Sequence, residues 1–402
     1  MSRDAVIIAA VRTAIGKRGG SLAAAHAVDL TGQVLRELGD RTGIDPSTID
    51  DVIWGCVGQV GDQAGNIGRY GLLAAGWPES IPGVTINRAC GSSQQALEFA
   101  FAGVLSGAYD VVVAGGVEIM TRVPLGAARQ GGFPYGPAVL ARYDGFSFNQ
   151  GESAELIAER WGFSRHRLDS FAARSHQLAA AAIDCGAFGS QVMPVEVPVA
   201  GGAGVDGAGV DGADVDRAGS RSFAVDEGLR RGTSPETLAR LKPSFREDGV
   251  IHAGNSSQIS DGAAALLVMS SERAAALGVQ PLARYHTGAV AGADPVLMLT
   301  GPIPATEKVL KKSGVPVGEI GVFEVNEAFA PIPLAWQAEI GAPLDRVNPL
   351  GGAIALGHPL GASGAVLATR MIHYMRDNGL RYGLQTMCEG GGTANATLLE
   401  LV

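Results

Sequence analysis

Strand-like apolar runs alternate with helix-like runs along most of this chain, and that alternation restricts the fold more than any other feature. Residues 5–11 are rich in Val, Ile and Ala and fit a buried strand; residues 51–57 and 84–87 fit two more. Residues 110–114 form a further, strongly apolar strand ending at Gly115-Gly116-Val117-Glu118. Helices are expected from Asp29, read as an N-cap, to Leu38, over residues 67–75, and over 94–105. This order predicts an α/β unit on a mostly parallel sheet.

The texture changes between residues 119 and 250. Short Gly/Pro-rich pieces mix with helical runs at 153–161 and 169–185, which reads as an insertion covering the sheet. Residues 200–219 are low in complexity, with Val205-Asp206-Gly207-Ala208-Gly209-Val210-Asp211-Gly212 repeating a short theme. The aspartates do not follow the spacing of an EF-hand, so a surface loop is expected there. Beyond residue 260 the alternation resumes. A helix or strand follows Asp261, helices fit 306–313, 328–340 and 363–376, and strands fit 320–325, 384–387 and 395–401. The two ends echo each other: a turn at residues 87–90 leads into a helix as residues 348–364 do, and both 110–114 and 384–387 run into glycines. A duplicated αβ half is the structural expectation.

Composition excludes several classes. A net charge of −9 argues against nucleic acid as the main partner. No apolar stretch is long enough to span a bilayer, and no secretory leader is read at the N-terminus, so a cytoplasmic enzyme is expected. The four cysteines, Cys56, Cys90, Cys185 and Cys388, form no CxxC pair, which disfavours structural zinc. Cys56 and Cys185 read as packing residues. His26, His166, His176, His252, His286 and His373 read as structural or surface groups.

Four segments could carry chemistry. In Ile86-Asn87-Arg88-Ala89-Cys90-Gly91-Ser92-Ser93-Gln94-Gln95, a polar turn places Cys90 before a helix. Unpaired N–H groups and the helix dipole favour a thiolate there, although a packed structural cysteine fits the same local pattern. In Val325-Asn326-Glu327-Ala328-Phe329-Ala330 a strand ends in Asn-Glu; Asn326 is either a ligand-facing residue or a helix cap. In Gly357-His358-Pro359-Leu360-Gly361 a histidine sits in a turn, outside any apolar periodicity, as a general base would. In Cys388-Glu389-Gly390-Gly391-Gly392 the glycines let backbone N–H groups approach an oxyanion, or simply make a tight turn.

Together these segments resemble the thiolase family, in its order and near its spacing. The likeness extends to Gly254-Asn255-Ser256-Ser257, Asp261-Gly262-Ala263-Ala264-Ala265 and Gly301-Pro302-Ile303-Pro304-Ala305, and covers essentially the whole chain except residues 200–219. It implies a thiolase-like α/β fold of duplicated αβαβα layered halves. An N-terminal half would span residues 1–270, with an inserted loop domain at about 119–250, and a C-terminal half residues 271–402.

The resemblance also implies an acetyl-CoA C-acyltransferase. It would cleave a 3-oxoacyl-CoA to acetyl-CoA and a shortened acyl-CoA, or run the reverse Claisen condensation, through an acyl-cysteine, as in β-oxidation. Cys90 would be the nucleophile, His358 the base and Cys388 the acid. Asn326 would hold an oxyanion-site water beside His358, and Gly390 would donate a backbone N–H beside that of Cys90. Arg230, Phe245, Ala253 and Ser257 would line the CoA arm; Arg230 with Arg231 also reads as a solvated pair. No metal or permanently bound cofactor is implied, coenzyme A being a co-substrate, and a homodimer or homotetramer is expected. Asn149-Gln150, Met298-Leu299-Thr300 and the Gly-Ser-Ser-Gln-Gln turn depart from short-chain members and favour a longer or bulkier acyl group. A ketosynthase-type enzyme fits less well because of Cys388. A non-catalytic acyl-CoA binder fits less well because Cys90, His358 and Cys388 are all present.

Overall fold

The computed structural model describes residues 3–146, 148–198 and 220–402, so the repetitive 200–219 stretch, with its surface-loop reading, lies outside the described residues. The first five main strands are β1 (Val6–Thr13), β2 (Asp51–Gly55), β3 (Val84–Ile86), β4 (Val111–Ile119) and β5 (Ser260–Met269). They lie side by side as β1-β5-β4-β2-β3. Four more follow: β6 (Ala283–Gly292), β7 (Ile320–Val325), β8 (Tyr382–Glu389) and β9 (Thr393–Leu401), ordered β6-β9-β8-β7. Val347 extends this second set through a parallel bridge to Phe323. In both sets the first strand pairs antiparallel with the last, and the remaining strands repeat one pattern. The repeat sensed at the chain's two ends is therefore a repeat of topology. The sets meet where β1 pairs antiparallel with β6, Val6 opposite Arg284 and Ile7 opposite Ala283.

The sheet is mixed rather than mostly parallel. β5 and β9 run antiparallel to both neighbours. β9 follows β8 through Gly390-Gly391-Gly392, whose last two residues adopt φ +86° and +79°; so tight a hairpin can only pair antiparallel. β5 returns to the sheet after the long excursion from residue 120 to 259, free of the crossover that a parallel strand requires.

Helices layer on both faces. α1 (Ala27–Thr42) and α2 (Ile67–Ala74) pack together on the first set. His26, not Asp29, caps α1: its ring Nδ1 accepts from Val28 N at 3.3 Å. α3 (Ser92–Ser106) packs on β2 and β4 with its first turns buried. α4 (Gln150–Arg160) and α5 (Arg165–Asp184) belong to the insertion, and α6 (Pro302–Ser313) and α7 (Pro331–Ile340) cover the second set. α8 (Ser363–Asn378) is buried along most of its length and touches strands of both sets and α3. Small residues permit that approach. A Cβ at Gly364 would collide with the Gln94 backbone nitrogen, and Ser93 Oγ accepts from Ala365 N at 2.9 Å. The N-termini of α3 and α8 are thereby held against each other.

Candidate active site

All four chemical segments are turns that deliver a side chain to this helix junction. After β3 the chain reverses through Ala89 at φ +43°, a conformation that costs a non-glycine residue energy. Side chains hold it. Asn87 Oδ1 accepts from Ala89 N at 2.8 Å, and Ser92 Oγ accepts from Arg88 N at 2.9 Å while donating to Ala89 O at 2.6 Å. Cys90 follows, almost fully buried. The N–H of Gly390, from the β8–β9 turn, and its own N–H both point at its sulfur. Burial, followed by the charge of Glu389, nevertheless pushes the thiol up to about 12. The helix N-terminus alone favours a thiolate; desolvation and a facing carboxylate reverse that expectation.

His358 lies in the loop before α8. Its N–H donates to Ser260 Oγ at 2.9 Å, and its Nδ1 lies 2.6 Å from Ser363 Oγ. Ser363 donates its single hydroxyl proton to Pro359 O at 2.8 Å. Ser363 must therefore accept from the ring, which places the neutral imidazole's proton on Nδ1 and leaves Nε2 bare. Burial pushes the pKa of His358 down to about 4, so the ring is neutral at ordinary pH.

Asn326 Nδ2 lies 3.4 Å from the bare Nε2 of His358. The same side chain hydrogen-bonds Cys388 at the end of β8. Asn326 is no helix cap, because α7 starts five residues later with Ala330 in the cap position. Its neighbour Glu327 fixes the segment, accepting from Ser175 Oγ at 2.6 Å, Asn348 Nδ2 at 2.9 Å and Ile354 N at 3.2 Å. The thiol of Cys388 is raised, by burial first and then by the charge of Cys90, so it too is protonated. The structure thus brings Cys90, His358, Asn326, Cys388 and Gly390 together from both halves. Two thiols, one bare imidazole nitrogen and directed N–H groups can move protons and hold a negative oxygen.

Three supporting residues escape a reading of motifs. Ser363 fixes the tautomer; its only sequence signal is a serine at a helix start five residues after the histidine. Glu118, at the end of β4, accepts from Val57 N, Gly58 N, Gln63 Nε2 and Gly361 N at 2.7–3.0 Å, tying the histidine loop to the first set of strands. Glu327 stands in a motif but gives no hint of its partners. Cys185, expected to pack, is exposed at the end of α5, whereas Cys56 is buried beside Glu118. His176, His252 and His373 are buried in hydrogen bonds to Arg230 N, Asp169 and the Ala10 carbonyl.

The candidate CoA residues gather around residues 253–258. Ser257 N donates to Ala328 O at 2.9 Å, and Ala253 is exposed in the preceding turn. Phe245 is partly exposed and meets Phe329 edge-on, ring centroids 6.0 Å apart. Gln258 Nε2 donates to Gly228 O at 2.8 Å, anchoring the turn that carries the exposed Arg230. Arg231 pairs with Asp184 and is solvated. Among the described residues no helix is long and apolar enough to cross a membrane.

Residues 5–272 match the family described as thiolase, N-terminal domain, and residues 279–401 match thiolase, C-terminal domain. The chain belongs to the thiolase family. As a thiolase it is an enzyme of CoA-dependent acyl transfer, cleaving 3-oxoacyl-CoA or forming it by Claisen condensation. It is 47% identical to the steroid 3-ketoacyl-CoA thiolase FadA6 of Mycobacterium tuberculosis, over 99% of this chain and 94% of that protein. It is 39% identical to the 3-ketoacyl-CoA thiolase of Bacillus subtilis, over 99% of this thiolase and all of that one. Its structure superposes on that of the Bacillus anthracis acetyl-CoA acetyltransferase with a TM-score of 0.88 at 37% identity, covering 100% and 99% of the two chains.

Proposed function

We propose that Cys90 carries the acyl group and that His358, Cys388 and Asn326 serve it, with Gly390 completing the oxyanion site. In the cleavage direction, Cys90 sulfur attacks the C3 carbonyl of a 3-oxoacyl-CoA while its proton passes to His358 Nε2. The C2–C3 bond breaks, its electron pair forms the acetyl-CoA enolate, and the Cys388 proton goes to C2. The proton on His358 balances the thiolate left at Cys388. CoA then attacks the acyl-cysteine and expels Cys90 as a thiolate; the proton of CoA and the one held on His358 restore the Cys90 and Cys388 thiols and leave the imidazole neutral. Gly390 N–H and Cys90 N–H, already aimed at the sulfur, would receive the C3 oxyanion; Asn326 and His358 would hold the thioester oxygen of the enolate.

The observation that carries this reading is the Asn326 amide bridging the bare nitrogen of His358 and the sulfur of Cys388. Isotope exchange tests it. A two-stage reaction through Cys90 exchanges labelled CoA into acyl-CoA without a second acyl substrate, and Cys90→Ala abolishes that exchange. Exchange surviving in the variant would overturn the assignment.

A bulky apolar acyl group is the favoured substrate class. Phe148 joins the apolar cluster around Cys388, and Tyr135, Tyr143 and Phe146 surround its ring at centroid distances of 5.0, 5.3 and 5.8 Å. Gln150 Nε2 reaches toward Gly390, where a Cβ would lie 3.4 Å from it. The relative FadA6, a steroid 3-ketoacyl-CoA thiolase by name, is consistent with this choice. Turnover on straight-chain, branched and ring-bearing 3-oxoacyl-CoA thioesters checks it: the ring-bearing substrate should give the highest kcat/KM. Phe245, Ala253, Ser257 and Arg230 are proposed to line the CoA arm. A cytoplasmic homodimer or homotetramer remains the expected state of the enzyme.

A further inference from the structure

Glu389 places a buried carboxylate at the N-terminal end of α3, beside the proposed nucleophile. In the β8–β9 hairpin Glu389 pairs with Thr393 and Met387 with Asn395, so Glu389, Thr393 and Asn395 share one face while Cys388 points to the other. That face presses on the residue after Cys90: a Cβ at Gly91 would collide with Glu389 Oε1. Glu389 Oε2 accepts from Thr393 Oγ1 at 2.6 Å, and Asn395 Nδ2 donates to Gly91 O at 3.3 Å. Among the described residues, the buried Glu389 Oε1 and Asn395 Oδ1 have no hydrogen-bond partner. The charged and titratable groups facing this carboxylate are Arg88, which opposes it, and Cys90 and Cys388, whose thiols it raises; Glu118 acts on Cys90 in the same sense from β4.

A helix N-terminus by itself draws a cysteine toward the thiolate. Here a carboxylate stands at that terminus, held by Thr393, with its other oxygen unpartnered among the described residues. Resting on the reading of Cys90 as nucleophile, we propose that Glu389 is a positioning residue that adds to burial in holding Cys90 as a thiol until substrate arrives, so that proton transfer to His358 accompanies attack instead of preceding it. The empty enzyme thereby withholds a free thiolate from alkylating and oxidising agents. Burial pushes the Glu389 carboxyl up to about 7, with Thr393 and then Arg88 pulling it down. As pH falls through that range the carboxylate takes up a proton and its hold on Cys90 weakens.

Alkylation of the free, full-length enzyme by iodoacetamide tests this, read as the rate of labelling of the Cys90 peptide by mass spectrometry across pH. Glu389→Gln keeps the shape and removes the charge. It should label about tenfold faster or more on the alkaline side of neutral, where the parental carboxyl is ionised, its profile shifted down by roughly one unit or more, with the difference narrowing as pH falls through the range in which Glu389 is protonated. Glu389→Asp keeps the charge and should retain the parental profile. Thr393→Val removes the hydroxyl that favours the ionised carboxyl; it should move labelling near neutral pH in the same direction as Glu389→Gln, by less. A parental profile in Glu389→Gln overturns the proposal, as does an equal shift in Glu389→Gln and Glu389→Asp, which would mark a packing effect. If Glu389→Gln does not fold, Thr393→Val decides: an unchanged profile overturns the proposal. Because labelling needs no turnover, it stands apart from the exchange assay on Cys90→Ala, which tests the nucleophile itself.

Discussion

Replacing Ser363 with alanine removes the acceptor that holds the proton of His358 on Nδ1. In the resting site that hydroxyl lies 2.6 Å from Nδ1 and passes its own proton to Pro359 O at 2.8 Å. Once His358 takes the proton of Cys90, the ring becomes an imidazolium and the Nδ1–H bond becomes charge-assisted. A buried hydrogen bond to a charged group contributes roughly 1.5–3 kcal/mol, and each ~1.36 kcal/mol is a decade of rate. Ser363→Ala should therefore lower kcat/KM for thiolysis by about one to two decades. The variant also frees the ring to carry its proton on Nε2, where it cannot accept. Because the lost bond favoured the charged ring, the acid limb of kcat/KM should move to lower pH. The assay is steady-state loss of 3-oxoacyl-CoA across pH, with urea unfolding to verify that the variant is folded. A folded Ser363→Ala enzyme with parental kcat/KM would refute the tautomer argument.

Other consequences follow from the same geometry. Cys388→Ser should slow deuterium uptake from solvent into acetyl-CoA more than it slows acyl transfer; uptake at the parental rate would remove Cys388 as proton donor. Burial lowers His358 to about 4, so its base form persists as the medium is acidified. The acid side of kcat/KM should thus hold down to about pH 5 and fall only below it, and a limb centred near the ordinary histidine value of ~6.5 would contradict this. Gly364→Ala forces a methyl group onto the Gln94 backbone nitrogen. It should cost roughly 1–3 kcal/mol in urea unfolding and lower activity by parting the two helix N-termini.

Much of this arrangement is legible in the chain because the buried strands are mainly apolar runs bounded by polar or glycine-containing turns. β1, β4, β7 and β8 announce themselves that way. So do the four reactive turns, each at a strand end or before a helix. Strand direction is not legible: β5 reads as helix or strand, and its partner β1 lies some 250 residues away. The cap of α1 is missed because histidine, a rare cap, does what Asp29 was expected to do. The protonation state of Cys90 is hidden for a similar reason. Its local sequence favours a thiolate, while what opposes it, burial first and then Glu389, is supplied by the fold and by the far end of the chain. Ser363 and Glu118 are ordinary polar residues until the fold supplies their partners.

The central claim is that the acyl group travels on the sulfur of Cys90. Brief incubation of the enzyme with a 3-oxoacyl-CoA, in the absence of CoA, followed by acid quench, digestion and mass spectrometry, tests it directly. The account predicts one acyl adduct, on the Cys90 peptide, absent from Cys90→Ala. An adduct on Cys388, or on any other residue in its place, would contradict it.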